Sequence, residues 1–376
     1  MNPLGRAVVL VLCSVLLAAC GDRTSSGSAA DDPTSPASTP SPTGTSTPTE
    51  SASTSATAPA GSGVLTLNGV ASGAPPSVPY LAVTDAGASL VRPGGDAQRL
   101  PRAYDSFAPM GDGLVGTASV DDQARSYVLD GDLEEVSQGT NPSGTLAATP
   151  DGAIVGWLTT EGRPHVVERG GSQEWDLSVV DEAGSIAALV ADGDTCQEGP
   201  DGSGCVAFVN SVEGTSARYT SSHGIVDTVP GVQAVGDVSA EGDLVGMTSV
   251  SDEGSCWGRF PAFEKKPLWE TCDHTLFAFS PSGSRILAGP AYLDGFGQGS
   301  ATVLDGDGEV LGDWRCGDQA ALLHTVWEDD DHVLALVFQD DSWAVLRLGV
   351  TDGSVELAVA PVPDPGGQTA LVLPVG

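Results

Sequence analysis

FSPSGSRILAG (residues 279–289) and ATVLDGDGEV (301–310) read as two consecutive hairpins: an apolar strand ends at a Ser-Gly turn, a second strand follows, and a third and fourth flank an Asp-Gly turn. Working outward, the first hairpin's signature recurs. Six times a turn ending in Gly or Asp runs straight into an apolar strand: MGDGLVG, TPDGAIVG, DEAGSIAAL, SAEGDLVG, SPSGSRILA and EDDDHVLAL. Measured at Gly113, Gly152, Gly184, Gly242, Gly283 and Asp331, the steps are 39, 32, 58, 41 and 48 residues, about 44 on average. The second signature, strand–turn–strand, falls later in the same units, in YVLDGDLEEV, FVNSVEGTSARY, TVLDGDGEVL and RLGVTDGSVEL. Four short strands per 40 to 45 residues is the period of a β-propeller blade.

The 313 residues from 64 to 376 hold about seven such units, and no amphipathic helix interrupts them. An all-β ring of four-stranded blades is therefore expected. Six blades are readable between Ala103 and Pro361. The hairpin PYLAVTDAGASLVR and the last strand, TALVLPV, would build the seventh from both ends of the chain, which removes free sheet edges. A six-bladed ring is the alternative. Propellers commonly recruit partners through the loops between second and third strands, read here as 119–124, 159–163, 191–204, 249–255, 289–299 and 339–341. Two of these exceed what a hairpin needs. GPAYLDGFGQG offers Tyr292, Asp294 and Phe296, and DGDTCQEGPDGSG offers Asp192 and Asp194, so these five residues are the expected contact set.

Residues 64–376 carry 46 acidic and 13 basic side chains, a net charge of −33. Nucleic acid is excluded as a partner, because its affinity comes mainly from Lys and Arg neutralising phosphates. The only lysines are Lys265 and Lys266. Catalytic readings are weak. Asp329–His332 and Asp340–Asp341 resemble a metal cluster, but the six strand residues between them separate the groups by ~20 Å. DGDGE (305–309) imitates a calcium loop without its sixth-position glycine and distal glutamate, and reads better as a hairpin turn. The five histidines are scattered, and Ser222 and His223, as strand neighbours, point to opposite faces. No catalytic residue, metal or cofactor is expected.

At the other end of the chain, the thirteen residues Ala7–Ala19 form an apolar run broken only by Ser14, follow Arg6, and are too short to span a bilayer. They end on Leu17-Ala18-Ala19-Cys20-Gly21, which resembles the bacterial lipobox. That resemblance implies a signal peptide over 1–19, removal of it, and diacylglycerol on Cys20. Residues 23–63 contain eleven Ser, nine Thr and six Pro, with no Val, Ile, Leu, Met, Phe, Tyr or Trp. Such a segment cannot form a core, so residues 20–63 are expected to be a disordered tether, permissive for O-glycosylation, with residues 64–376 as the folded domain. An extracytoplasmic domain favours disulfides. The loop between Cys256 and Cys272 centres on Glu264, which sets the two cysteines opposite each other on neighbouring strands. Cys196 and Cys205 bracket a turn-rich loop, and Cys316 is left over, though Cys272–Cys316 stays open as a rival pairing.

Taken together, the repeats and the leader make the chain resemble the WD-repeat-like β-propeller lipoproteins of actinobacteria, over roughly residues 79–376. No Gly-His opening or Trp-Asp ending is present. The resemblance implies a monomeric surface lipoprotein held on the outer face of the cytoplasmic membrane by its lipid alone. Its propeller would bind an envelope protein or glycan without catalysis. A secreted hydrolase or lyase with an acidic, calcium-dependent site is the alternative.

Overall fold

Each turn-bounded apolar run pairs antiparallel with the run that follows it, so the chain lays down four-stranded sheets one after another. The computed structural model describes residues 61–375 apart from 172, 198–203, 262, 293–296, 318 and 367–368. β1 (Gly61–Leu65) precedes the first blade, to which β2 (Tyr80–Thr84), β3 (Gly87–Val91) and β4 (Ala97–Arg99) belong. Blade 2 is β5 (Ser106–Met110), β6 (Gly113–Val120), β7 (Gln123–Leu129) and β8 (Glu135–Thr140). Blade 3 is β9 (Ala147–Ala148), β10 (Ile154–Leu158), β11 (Pro164–Glu168) and β12 (Glu174–Asp176). Blade 4 is β13 (Ala183–Ala191), β14 (Cys205–Ser211), β15 (Ala217–Ser221) and β16 (Val226–Thr228). Blade 5 is β17 (Ala234–Val238), β18 (Leu244–Ser251), β19 (Gly254–Phe260) and β20 (Trp269–Thr271). Blade 6 is β21 (His274–Phe279), β22 (Arg285–Pro290), β23 (Ser300–Asp305) and β24 (Val310–Cys316). Blade 7 is β25 (Ala320–Trp327), β26 (His332–Gln339), β27 (Ser342–Gly349) and β28 (Val355–Pro363). The final strand, β29 (Leu371–Val372), pairs with β2 as the first strand of blade 1.

The result is a seven-bladed β-propeller, closed as expected by strands from both ends of the described chain. Seven apolar clusters hold it, one at each junction between neighbouring blades. Phe107, Leu114 and Tyr127 of blade 2 meet Leu81 and Leu90 of blade 1, and Leu371 and Tyr80 of blade 1 meet Leu334 and Val345 of blade 7. Second strands, flanked by blades on both sides, are buried along most of their length, as in β10 and β22, whereas outer strands such as β12 are mostly exposed. Trp indoles stitch across junctions. Trp157 donates to the Thr140 carbonyl at 3.1 Å, Trp269 to Gly306 at 2.7 Å and Trp327 to Ala278 at 3.3 Å.

Because strands alternate in direction and the links between blades are short, turns between first and second strands share one face of the ring with turns between third and fourth (the a–b face). Turns between second and third strands share the other with the interblade links (the b–c face). This corrects two expectations. Gly184 lies within β13, a first strand, so DEAGSIAAL follows an interblade link and not a hairpin turn. The true equivalent is Gly204, just ahead of β14, and the steps become 39, 52, 38, 41 and 48. FVNSVEGTSARY is displaced in the same way, joining second and third strands. The first described residues, Gly61–Leu65, form a fifth strand of blade 6, parallel to β24.

The cysteines pair at bonding distance as the strands direct. Cys196 and Cys205 lie 4.7 Å apart at Cα, and Cys256 and Cys272 lie 4.0 Å apart, the latter continuing the register Trp257↔Thr271. Cys316 is free and half-buried, and burial pushes its thiol pKa up, so it is not held as a reactive thiolate.

Candidate binding face

The b–c face is built from hairpin turns whose side chains the fold leaves unused. In blade 2 the turn is Asp121-Asp122 and in blade 7 Asp340-Asp341, and all four have positive φ (52°, 62°, 51° and 57°). Two-residue turns of this shape match the twist of the strands and favour Asn-Gly or Asp-Gly, so the second Asp of each pair stands where glycine is usual. Asp85, Glu161, Glu213 and the pair Asp252-Glu253 stand in the corresponding turns of blades 1, 3, 4 and 5. All nine carboxylates are exposed, and among the described residues none has a hydrogen-bond or ion-pair partner for its side chain.

Several carboxylates of the opposite face are occupied, while Asp112, Asp132, Asp192, Asp194 and Glu241 there are exposed and without side-chain partners. Asp130 and Asp305 each accept two turn N–H groups at 2.9 to 3.0 Å. Asp243 holds Arg259 at 2.7 Å, and Asp331 of blade 7 holds Arg285 of blade 6 at 2.7 Å. The hydrogen bond from Arg285 lowers the Asp331 carboxyl pKa, as the Ser354 amide lowers that of Asp352. Glu168 Oε1 accepts from Trp175 Nε1 (2.9 Å), Thr195 Oγ1 (2.5 Å) and the Cys196 amide (2.8 Å), pinning the disulfide loop of blade 4 to blade 3.

Exposed apolar side chains add to the b–c face over neighbouring blades. Val179 lies in the link from blade 3 to blade 4, Val212 in the blade 4 turn, Val250 at the end of β18, and Tyr292, 60 % exposed, in the blade 6 loop. Local bonds fix them. The Val212 amide donates to the Glu182 carbonyl at 2.9 Å, and the Ser255 amide donates to Ala291 at 3.4 Å, tying the blade 5 turn to the base of Tyr292.

The expected contact set divides between the two faces. Tyr292 is on the b–c face. Asp192 and Asp194, also exposed, lie in the β13–β14 loop on the a–b face, so the structure does not bring them to Tyr292. The slip at Gly184 is the reason, since it turned a first-to-second loop into a second-to-third one. Asp294, Phe296 and the lipid-attachment residue Cys20 lie outside the described residues. Asp121-Asp122, Asp252-Glu253, Val212 and Val250 were not singled out from sequence, and Asp340-Asp341 was read only as half of a metal-like cluster. The available signal was Asp-Asp where a tight turn favours Asn-Gly or Asp-Gly.

Chemistry-bearing residues elsewhere serve the fold. DGDGE is a hairpin turn, closed by Asp305. Asp329 bonds His332 at 2.9 Å, while Asp340 and Asp341 sit at the far end of β26, on the other face. Burial lowers the His324 pKa, and its Nε2 meets the Pro374 carbonyl at 3.2 Å. Among the described residues no group of three or more His, Cys, Asp or Glu side chains could hold a metal ion, and no helix is long and apolar enough to cross a membrane. Two shallow clefts, about 470 and 400 Å³, open between the turns of blades 1 to 3 and share Asp112, Asp130 and Gly131.

No family model and no curated protein matches the chain. Among solved structures it is similar to the β-propeller domain of Cps50 (Swd1) from Myceliophteria thermophila, at 9 % identity and a TM-score of 0.48, covering 70 % of this chain and 86 % of that one. It is also similar to BamB from Moraxella catarrhalis, at 14 % identity and a TM-score of 0.41 over 74 % of this chain and 79 % of that one. Sqt1 from Chaetomium thermophilum gives 16 % identity and a TM-score of 0.43 over 68 % and 70 %. At these values the assignment of fold stands on the blade topology itself.

Proposed function

We propose that this chain is an extracytoplasmic lipoprotein, anchored through Cys20, whose propeller is a non-enzymatic module that captures an envelope protein on its b–c face. One observation carries the reading. Nine exposed carboxylates without partners share that face with Val179, Val212, Val250 and Tyr292, exposed apolar side chains that lie over blades 3 to 6. Charge of one sign around apolar anchors suits a protein surface with basic and apolar groups, since charge steers the encounter and buried apolar area sustains the complex. The lipobox-like leader and the Ser/Thr/Pro segment support the anchor and the tether.

Capture from solubilised envelope tests the reading. The protein is immobilised, and bound proteins are compared with those held by Tyr292→Ala/Val250→Ser and by a control with Asp192→Asn/Asp194→Asn on the other face. Loss of at least tenfold of a specific partner with the first variant and none with the control is the expected result. Equal capture by all three would overturn the choice of face. The anchor is tested apart: Cys20→Ser should accumulate as precursor or leave the membrane fraction, and unchanged processing and membrane retention would refute lipidation.

A further inference from the structure

Blade 6 differs from the others in having a fifth strand. Gly61–Leu65 runs parallel to β24 with Gly61↔Gly312, Gly63↔Trp314 and Leu65↔Cys316 in register, and the Leu65 carbonyl accepts from Gly317 at 3.0 Å. The reason lies in the edge beneath it. The outer strands of blades 1, 3, 4 and 5 are three residues long, too short to template another strand, whereas β8, β24 and β28 have six, seven and nine residues, and of these three β24 is the one in register with Gly61–Leu65. The fit is specific. Gly61 and Gly63 lie over the fully buried Trp314: a Cβ on Gly61 would come within 2.9 Å of its ring, and one on Gly63 within 3.6 Å. Leu65 is fully buried in the cluster between blades 6 and 7, while Val64 projects outward, 64 % exposed. Beyond it the segment is held by Gln339, which accepts from the Leu67 amide at 2.7 Å, and by a single bridge from Ser72 to Leu357. Arg347 then clips it down by donating to the carbonyls of Ala74 (3.0 Å) and Pro75 (3.1 Å).

We propose that the outer edge of blade 6 is a strand-acceptor site that takes the Gly-x-Gly-x-Leu segment 61–65 from its own chain or from a second copy, so that neighbouring molecules pair by exchanging it. Every copy carries the matching segment and the matching edge. Exchange of the strand together with the segment as far as Pro75 breaks and remakes the same backbone bonds, the same cover over Trp314, the same Leu65 contact and the same bonds to Gln339, Leu357 and Arg347, so the balance is set chiefly by effective concentration. A solitary molecule keeps its own strand. Molecules confined side by side meet one another's edges, and a two-fold pair leaves no acceptor open.

Cys316 supplies the test, because it is free and in register with Leu65. In the chain from residue 20 onward carrying Cys20→Ser, Leu65→Cys places two thiols across the β1–β24 pair. Tagged and untagged copies are mixed under reducing conditions, oxidised, and read by non-reducing electrophoresis at rising concentration. Covalent heterodimers that grow with concentration, and fall at least threefold when a free peptide of residues 58–67 is added, are expected. Intrachain bonds alone at every concentration would overturn the proposal, as would heterodimers indifferent to the peptide, which would be collisional. Should Leu65→Cys disturb the core, Val64→Cys/Arg315→Cys/Cys316→Ser puts the pair at two exposed positions of the same register, with the same two readings.

Discussion

Asp237 follows the bulge at Gly236 on β17, and its carboxylate accepts the Phe279 amide of the next blade at 2.8 Å. Desolvation by burial outweighs that bond and pushes its pKa up to about 6. The sign follows from linkage. A carboxyl whose pKa is higher folded than unfolded stabilises the fold while protonated, and that contribution fades as pH rises through about 6. Asp237→Asn keeps an oxygen for the Phe279 amide and carries no charge. It should raise the melting temperature at pH 7.5 by several degrees, on the order of 2 kcal/mol, and leave it almost unchanged near pH 4. An equal gain at both pH values would show that ionisation is not the cause. Glu328 behaves in the opposite sense. Its burial alone would raise the carboxyl, but hydrogen bonds from Arg347 and the Ser77 amide hold it below its usual pKa. Its contribution is present above the unfolded carboxyl pKa and is lost on acidification. Arg347→Met leaves Glu328, whose side chain is 2 % exposed, as an uncompensated buried charge and should cost about 3–5 kcal/mol in urea unfolding at pH 7.

At the scale of elements, the two cystines brace different things. Cys256–Cys272 joins neighbouring strands of one hairpin, whereas Cys196–Cys205 closes the loop that Glu168 binds from blade 3. Replacing Cys256 and Cys272 by Ala should lower stability by about 3 kcal/mol, as for closure of a loop of that size, and leave the other six blades folded. Glu168→Ala should instead free residues 192–197, read as faster hydrogen exchange there with little change in global unfolding. Most hairpins were legible because composition marks their turns: MGDG, TPDG, SAEG and SPSG each lead into a second strand. DEAG has the same composition and leads into a first strand, because a link between blades needs the same Gly and acid residues as a tight turn. Only the ladder between β13 and β14, with its bulges and thirteen-residue loop, separates the two. The binding face inherited that ambiguity, so Tyr292 was found and Val212, two blades away, was not.

The ring closes through one short ladder, aided by the segment ahead of blade 1 that is held on blades 6 and 7. Leu371 and Val372 pair with Ala82 and Leu81, partners 289 and 291 positions away, through just two residues of ladder. Leu371→Asp should therefore depress the melting temperature far more than a charge placed at exposed Val226, and circular dichroism should retain strand signal from blades that pair locally. Blades 2 to 7 each assemble from neighbours in sequence and can form early, but the closing pair must wait until a chain nearly three hundred residues long brings its ends together, a slow search. During that interval the second strand of blade 1 stands open, and the apolar side chains of the last junction, Tyr80 and Leu334 among them, face water. The molecule is thus most vulnerable to proteases and to sticking not in its finished state but in the moments before its two ends find each other, and any factor that shortens the wait raises the yield of intact rings without touching the stability of a single blade.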